Sequence, residues 1–177
     1  LESSVEATTF EHQELIQYYA TDWDFILSRV QVNGQLIIVD DGTISIAAPD
    51  FGKDPTLAIR YGGTLYEFEA EIDARHQYNN IKASRWDIAD QEVVSEELSA
   101  SATNGQGNIT EKDLADVIGL DTLEFHHSGK IKSEELNAWA TGQLVISQLA
   151  KIVGRVKIRG TYDVKVGDTI ELQGVGE

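Results

Sequence analysis

The chain contains no cysteine. That absence removes disulfides, thiolate metal sites and cysteine nucleophiles together, and it leaves the redox compartment open. Basic residues are scarce: 14 Lys and Arg stand against 30 Asp and Glu, a formal net charge of −16. A surface this acidic repels nucleic acid and anionic lipid, so neither is expected as a direct partner. The ordinary explanation of the excess is solubility, and a charged partner, if there is one, should present a basic surface. No apolar run approaches the roughly 20 residues that span a bilayer. The only two prolines, Pro49 and Pro55, fall in one loop over 48–55. Leu1 is neither an initiator Met nor the start of a signal-like segment. At 177 residues the chain holds one large or two small domains. It can bury about two-thirds of its unfolded surface.

The most informative stretch is residues 17–46. Thr21, with Asp22 and Asp24 in the first turn, predicts a helix start, because a hydroxyl accepts a free N–H and acids face the positive end of the dipole. Trp23, Ile26, Leu27 and Val30 recur at i, i+3, i+4, i+7, one helix face. Asn33-Gly34 closes a helix over 21–33. A hairpin over 35–48 follows, turning at Asp41-Gly42. Residues 11–19 fit neither a helical nor a strand period.

Residues 57–61, 65–73 and 81–87 have the β-branched and aromatic character of sheet, and 91–98 continues as an edge strand. In 65–73 the alternation puts Leu65, Glu67, Glu69, Glu71 and Asp73 on a wet face, with Tyr66, Phe68, Ala70 and Ile72 on a core face. Residues 99–108 (SASATNGQGN) read as a polar loop. Ser133, Glu134 and Glu135 start a second helix. Its stripe of Leu136, Trp139, Ala140, Ile146, Leu149, Ala150 and Val153 predicts a helix over 133–153 ended by Gly154. Strands at 155–159 and 169–172 flank a turn at Val166-Gly167-Asp168. The resulting class is α+β and β-rich.

No catalytic constellation emerges. His126 and His127 are adjacent on a strand and point to opposite faces, so one metal cannot take both. Asp121, Glu124 and His126 could lie close together but lack a second histidine. His76, near Asp73 and Arg75, reads as a turn residue; His12, between Glu11 and Glu14, reads as surface. Asp40-Asp41-Gly42 and Asp50 lack the alternating ligands and closing Glu of a calcium loop. No glycine pattern makes a phosphate cradle, and no nucleophile elbow is present. Asn108-Ile109-Thr110 is formally a glycosylation acceptor. Trp23, Trp86 and Trp139 could form a sugar-stacking platform, but core packing is the ordinary explanation. The site prediction is therefore empty: no catalytic residue, no metal and no cofactor.

The wording of several blocks adds a resemblance. Tyr18 to Ile26 (YYATDWDFI), the block 57–71 (LAIRYGGTLYEFEAE), Ala83-Ser84-Arg85-Trp86-Asp87 and the closing 160–176 (GTYDVKVGDTIELQGVG) occur in this order. Together they resemble the hub region of VgrG proteins and of the late control gene D proteins of contractile phages, weakest over 99–116. The resemblance implies a small helix-plus-hairpin subdomain over 1–56 and an antiparallel barrel-like sheet with one long helix over 57–177. It implies a fragment of a longer protein, with an earlier barrel before Leu1 and a spike domain after Glu177. The implied role is non-enzymatic, a baseplate hub of a contractile injection system, in a type VI secretion or phage-tail setting. The implied partners are two further copies in a homotrimer, a hexameric tube protein and a spike. Assembly would occur in the bacterial cytoplasm, with ejection on firing. The alternative is a glycan- or effector-binding module using exposed aromatics or the 99–108 loop.

Overall fold

The computed structural model describes residues 2–99, 106–160 and 164–176. It opens on strand β1 (Glu2–Val5), an irregular stretch, and helix α1 (Asp22–Val32). Thr21 is extended and its hydroxyl accepts the Asp24 N–H at 3.2 Å. Asn33 closes the helix, its side chain donating to the Arg29 carbonyl at 2.8 Å, and Gly34 follows at φ 66°. Strands β2 (Leu36–Asp40) and β3 (Thr43–Ala47) form the expected hairpin. Asp41 and Gly42 take φ of 43° and 80°, both positive as a two-residue type I′ turn requires. β1 adds to β3 in parallel. Residues 11–19 form neither helix nor strand.

Eight more elements follow: β4 (Leu57–Arg60), β5 (Leu65–Ile72), β6 (Asn80–Asp87), β7 (Glu92–Ser99), α2 (Glu111–Ile118), β8 (Thr122–His127), α3 (Ser133–Leu149) and β9 (Ile152–Ile158), before the last strand β10 (Ile170–Gln173). The class is α+β and strand-rich, as the sequence predicts. Among the described residues the strands form four small sheets and close no barrel. β10 pairs with β4 and β8 with β6 in parallel, while β5–β9 and β6–β7 are antiparallel. The barrel-like sheet expected over 57–177 is thus open and mixed, with β7 on an edge as predicted.

The core lies where α3 covers the β7-β6-β8 sheet. Ile81 and Ala83 from β6 meet Leu136 and Ala140 from α3, all four fully buried. Leu98, Leu123, Phe125 and Trp139 pack around them. Full burial of one such aliphatic side chain is worth about 1.5–3 kcal/mol. Alternation supplies the rest of the logic: Ile81, Ala83 and Arg85 turn toward the helix while Lys82, Ser84 and Trp86 turn away.

One end of the second helix differs from the sequence reading. Helix α3 stops at Leu149, four residues short of 153, and Gly154 lies within β9 opposite Ala70. The physical cause is Lys151, whose side chain is almost wholly buried. Its ammonium lies 3.3 Å from Glu111 and donates to the carbonyls of Gln106 (3.2 Å) and Ile109 (2.9 Å). Those contacts turn the chain where the apolar stripe alone would have carried the helix on. At the other end Lys132 holds the cap position with no side-chain bond, and Ser133 is the first helical residue. Helix α2 was absent from the sequence reading. Its signal is Thr110-x-x-Asp113: the hydroxyl accepts the Asp113 N–H at 3.1 Å, and the carboxylate accepts the Thr110 N–H at 3.0 Å.

Candidate functional site

Strand β8 sets the histidines as predicted, on opposite faces. His127 turns toward the core, edge-on to Trp139 at 5.6 Å, and accepts the Gly129 N–H at 3.0 Å. His126 turns outward and pairs with the hydroxyl of Ser84, its neighbour on β6. A serine beside a histidine is the beginning of a nucleophile pair. Here Ser84 is only 1% exposed, and among the described residues no carboxylate orients the ring from its other nitrogen. The pair therefore cross-links β6 to β8 and cannot meet a substrate at Ser84.

The remaining candidates are dispersed. Asp121 accepts from Asn79 and Thr122, Glu124 lies 3.5 Å from Lys82, and His126 is held by Ser84. Among the described residues no group of three His, Asp or Glu is placed to hold a metal ion. Asp40 pairs with Lys165 at 2.8 Å, and Asp50 accepts the Gly52 N–H at 3.0 Å in a local turn. Asp73 binds the Arg75 guanidinium through both oxygens, which holds its carboxyl far below the usual range. The carbonyl of His76 accepts from Ser147 at 2.6 Å. His12 is more than a surface residue. It lies 3.4 Å from Glu135, and Phe10 sits under the Lys132 ammonium, so the stretch before α1 is pinned to the start of α3. The hydroxyl of the sequon residue Thr110 is spent on the α2 cap. Most of the 99–108 loop lies outside the described residues.

The tryptophans separate. Trp139 is in the core, 4.3 Å from Phe125 between ring centroids. The core explanation fails for the other two: Trp23 is 45% exposed on α1 and Trp86 is 53% exposed on β6. They stand on different elements, and Trp86 has its cross-strand neighbour Val93, also exposed.

The larger surprise is strand β5. A register shift between Leu65 and Glu67 makes Tyr66 an extra residue. This bulge turns Leu65 out of the glutamate row and onto the apolar face. The rungs of that face are Leu65–Ile158, Phe68–Val156, Ala70–Gly154 and Ile72–Ile152. Near Leu65 the face is covered, beside an apolar cleft of about 170 Å³ lined by Leu57, Ile59 and Ile158 among others. Farther along it is open: Phe68 is 38%, Ile72 49% and Ile152 40% exposed. The predicted core face is real in pattern, but its Phe68-to-Ile72 half is left uncovered among the described residues.

A second open apolar stretch precedes α1, where Ile16, Tyr18 and Tyr19 project into solvent and Tyr19 adopts φ 52°. The total accessible surface is 12302 Å². A compact monomer of 19.5 kDa exposes about 8,500 Å² by size scaling. The excess, several thousand Å², is larger than the roughly 800 Å² that one partner contributes to a standard interface. Among the described residues no helix is long and apolar enough to cross a membrane.

The sequence matches a family model over residues 1–177, described as the Alg8 N-terminal domain. The chain belongs to the Alg8 N-terminal domain family. No curated protein matches it in sequence. Solved structures share the fold of this family member, two tail proteins among them. One is the prophage MuSo2 43 kDa tail protein from Shewanella oneidensis, with a TM-score of 0.65 at 11% identity over 98% of this chain and 52% of that one. The other is the tail protein from Neisseria meningitidis MC58, with a TM-score of 0.64 at 12% identity over 97% of this chain and 51% of that one. The chain spans about half the length of the tail proteins it matches. At that identity the likeness is one of fold.

Proposed function

We propose that this chain is a structural part of a phage-tail-like contractile injection apparatus, working through surfaces and without catalysis. The observation that carries this reading is the superposition on two tail proteins over nearly the whole chain. The large exposed apolar area supports it, since a protein built to be covered by neighbours has such a surface when alone. Within the apparatus we assign it to a VgrG-like or late-control-D-like hub, a homotrimer matching a hexameric tube on one side and a spike on the other. A hub of this kind is assembled in the bacterial cytoplasm and leaves the cell on firing. Symmetry adaptation of this sort needs interfaces of large area and no concave polar site. Deleting the chain's coding segment from the producing strain and imaging its particles tests the role. The expected result is loss of intact sheathed particles, with tube and sheath subunits left unassembled. Normal particles in normal number would overturn it.

The exposed Trp86 and the tyrosines before α1 favour one second reading, a glycan- or effector-binding module. Saturable binding of a glycan by the monomer, abolished by Trp86→Ala, would support it over the assembly reading.

A further inference from the structure

We propose that residues 150–153 are a helix–strand switch, thrown by the buried contact of Lys151 with Glu111 and the loop carbonyls beside it. Nothing in this depends on the assembly reading. The four residues carry two patterns at once. Ile146, Leu149, Ala150 and Val153 recur at i, i+3, i+4, i+7, and Gly154 follows where a helix can stop. Ile152 instead alternates with Gly154, Val156 and Ile158 along the apolar face of β9. The fold takes the second pattern, and the diversion is abrupt. The Ala150 N–H still donates to the Ile146 carbonyl at 3.1 Å, as in a helix, and the Lys151 N–H tightens onto the Gln148 carbonyl at 3.3 Å. One residue later β9 has begun.

The strand form is lightly held at this end. Ile72 opposite Ile152 is the last rung of the ribbon, Val153 opposite Glu71 is the next, and Ile72, Ile152 and Val153 are all exposed. Continuing α3 would give up those two rungs and gain a helical hydrogen bond for each residue added. Lys151 prevents this, because its buried ammonium sits among oxygens of Glu111, Gln106 and Ile109. All three belong to the segment that leads into α2, and α2 is itself a conditional element. Eight residues are too few to stay helical in water alone. Its buried residues are Glu111 and Ala115, and beyond them Asp116 accepts from Asn79 at 3.3 Å. If α2 leaves, the oxygens leave with it, and a buried ammonium without them is untenable. Lys151 then swings out and α3 runs on to Val153. Undocking of α2 is thereby converted into the loss of two rungs at the open end of the ribbon, an order–disorder change in one segment read out in another.

Carbon chemical shifts of residues 150–153 in the full chain test the switch, in the wild type, Glu111→Leu and Lys151→Ala. Lys112→Ala, which removes an exposed pair on α2 and leaves the buried contact intact, is the control. In the wild type and the control the Cα secondary shifts of Ile152 and Val153 should carry the strand sign. In both variants of the buried contact they should change to the helical sign. The Asp73 amide, which donates to the Lys151 carbonyl at 3.1 Å, should then exchange about tenfold faster or more. Strand or random-coil shifts at 152–153 in either variant overturn the proposal, as does a helical sign in the control. If a variant unfolds as a whole, saturation-transfer measurements on the wild type decide. A minor state with helical shifts at 151–153 supports the switch, and the lack of one, or one with coil shifts there, overturns it.

Discussion

Gly34 and Gly142 meet where the end of α1 crosses α3. A Cβ added at Gly142 would lie 2.6 Å from the Val32 carbonyl oxygen and 2.8 Å from that of Gln31. One added at Gly34 would come 3.0 Å from the Gly142 Cα. The two backbones pass with no side chain between them, which seats the helix-plus-hairpin unit on the helix that covers the main core.

Gly142→Ala should therefore destabilise the fold. In an open helix the same change would stabilise by about 0.5–1 kcal/mol. Here the added methyl meets backbone, which cannot rotate away, and overpacking of that kind costs about 1–3 kcal/mol. A lowered urea midpoint would bear out the crossing; an unchanged or raised one would count against it.

The buried pair of Glu111 and Lys151 gives an asymmetric expectation. At 3.3 Å the contact is one of charge rather than a well-formed hydrogen bond, and both side chains are about 95% removed from solvent. Removing one partner leaves an uncompensated buried charge, costing about 3–5 kcal/mol, whereas replacing both by apolar residues of like size is close to neutral. Glu111→Leu and Lys151→Met, alone and together, measured by chemical denaturation, should show the double variant more stable than either single one.

Acid should weaken the molecule. The Asp168 carboxyl is held below the usual carboxylate range by the Lys165 backbone N–H and then by the Lys53 ammonium. The Arg85 guanidinium and the Ala89 N–H do the same for Asp87, and Thr110 does so for Asp113. A depressed folded value means that the ionised form favours folding. This contribution is complete above the unfolded carboxylate value of about 4 and is lost as pH falls below it. Urea midpoints taken from pH 7 to pH 3 should decline mainly below pH 4, and Asp168→Asn should flatten part of that decline. A profile that rises steadily into acid would refute the assignment.

How much of this was legible beforehand follows local chemistry. α1 and its hairpin were readable because Thr21, Asn33-Gly34 and Asp41-Gly42 each need nothing but their neighbours. The end of α3 was not, because Lys151 is stopped by Glu111 and by two loop carbonyls distant in sequence. α2 was missed although Thr110-x-x-Asp113 was in view, since eight residues give too few turns for a period. Trp23 and Trp86 sit at positions that pattern assigns to a core, and only the fold shows that both stay about half exposed. The β5 face was read with the right pattern and one wrong member, Leu65, because a bulge leaves no mark in the alternation. The link between Ser84 and His126 was invisible too, because it needs the parallel register of β6 and β8, two strands distant in sequence.

The closing of the chain on itself has a kinetic consequence. β10 pairs with β4, Lys53 grips Asp168 across 115 positions, and Lys165 reaches Asp40 across 125. Contacts so distant in sequence form late, since loop-closure entropy must be met before they contribute. A ribosome making roughly 5–20 residues per second leaves β4 without its partner for on the order of ten seconds. During that interval the edge of β4 presents unpaired backbone groups, the condition under which a strand can pair with the wrong chain.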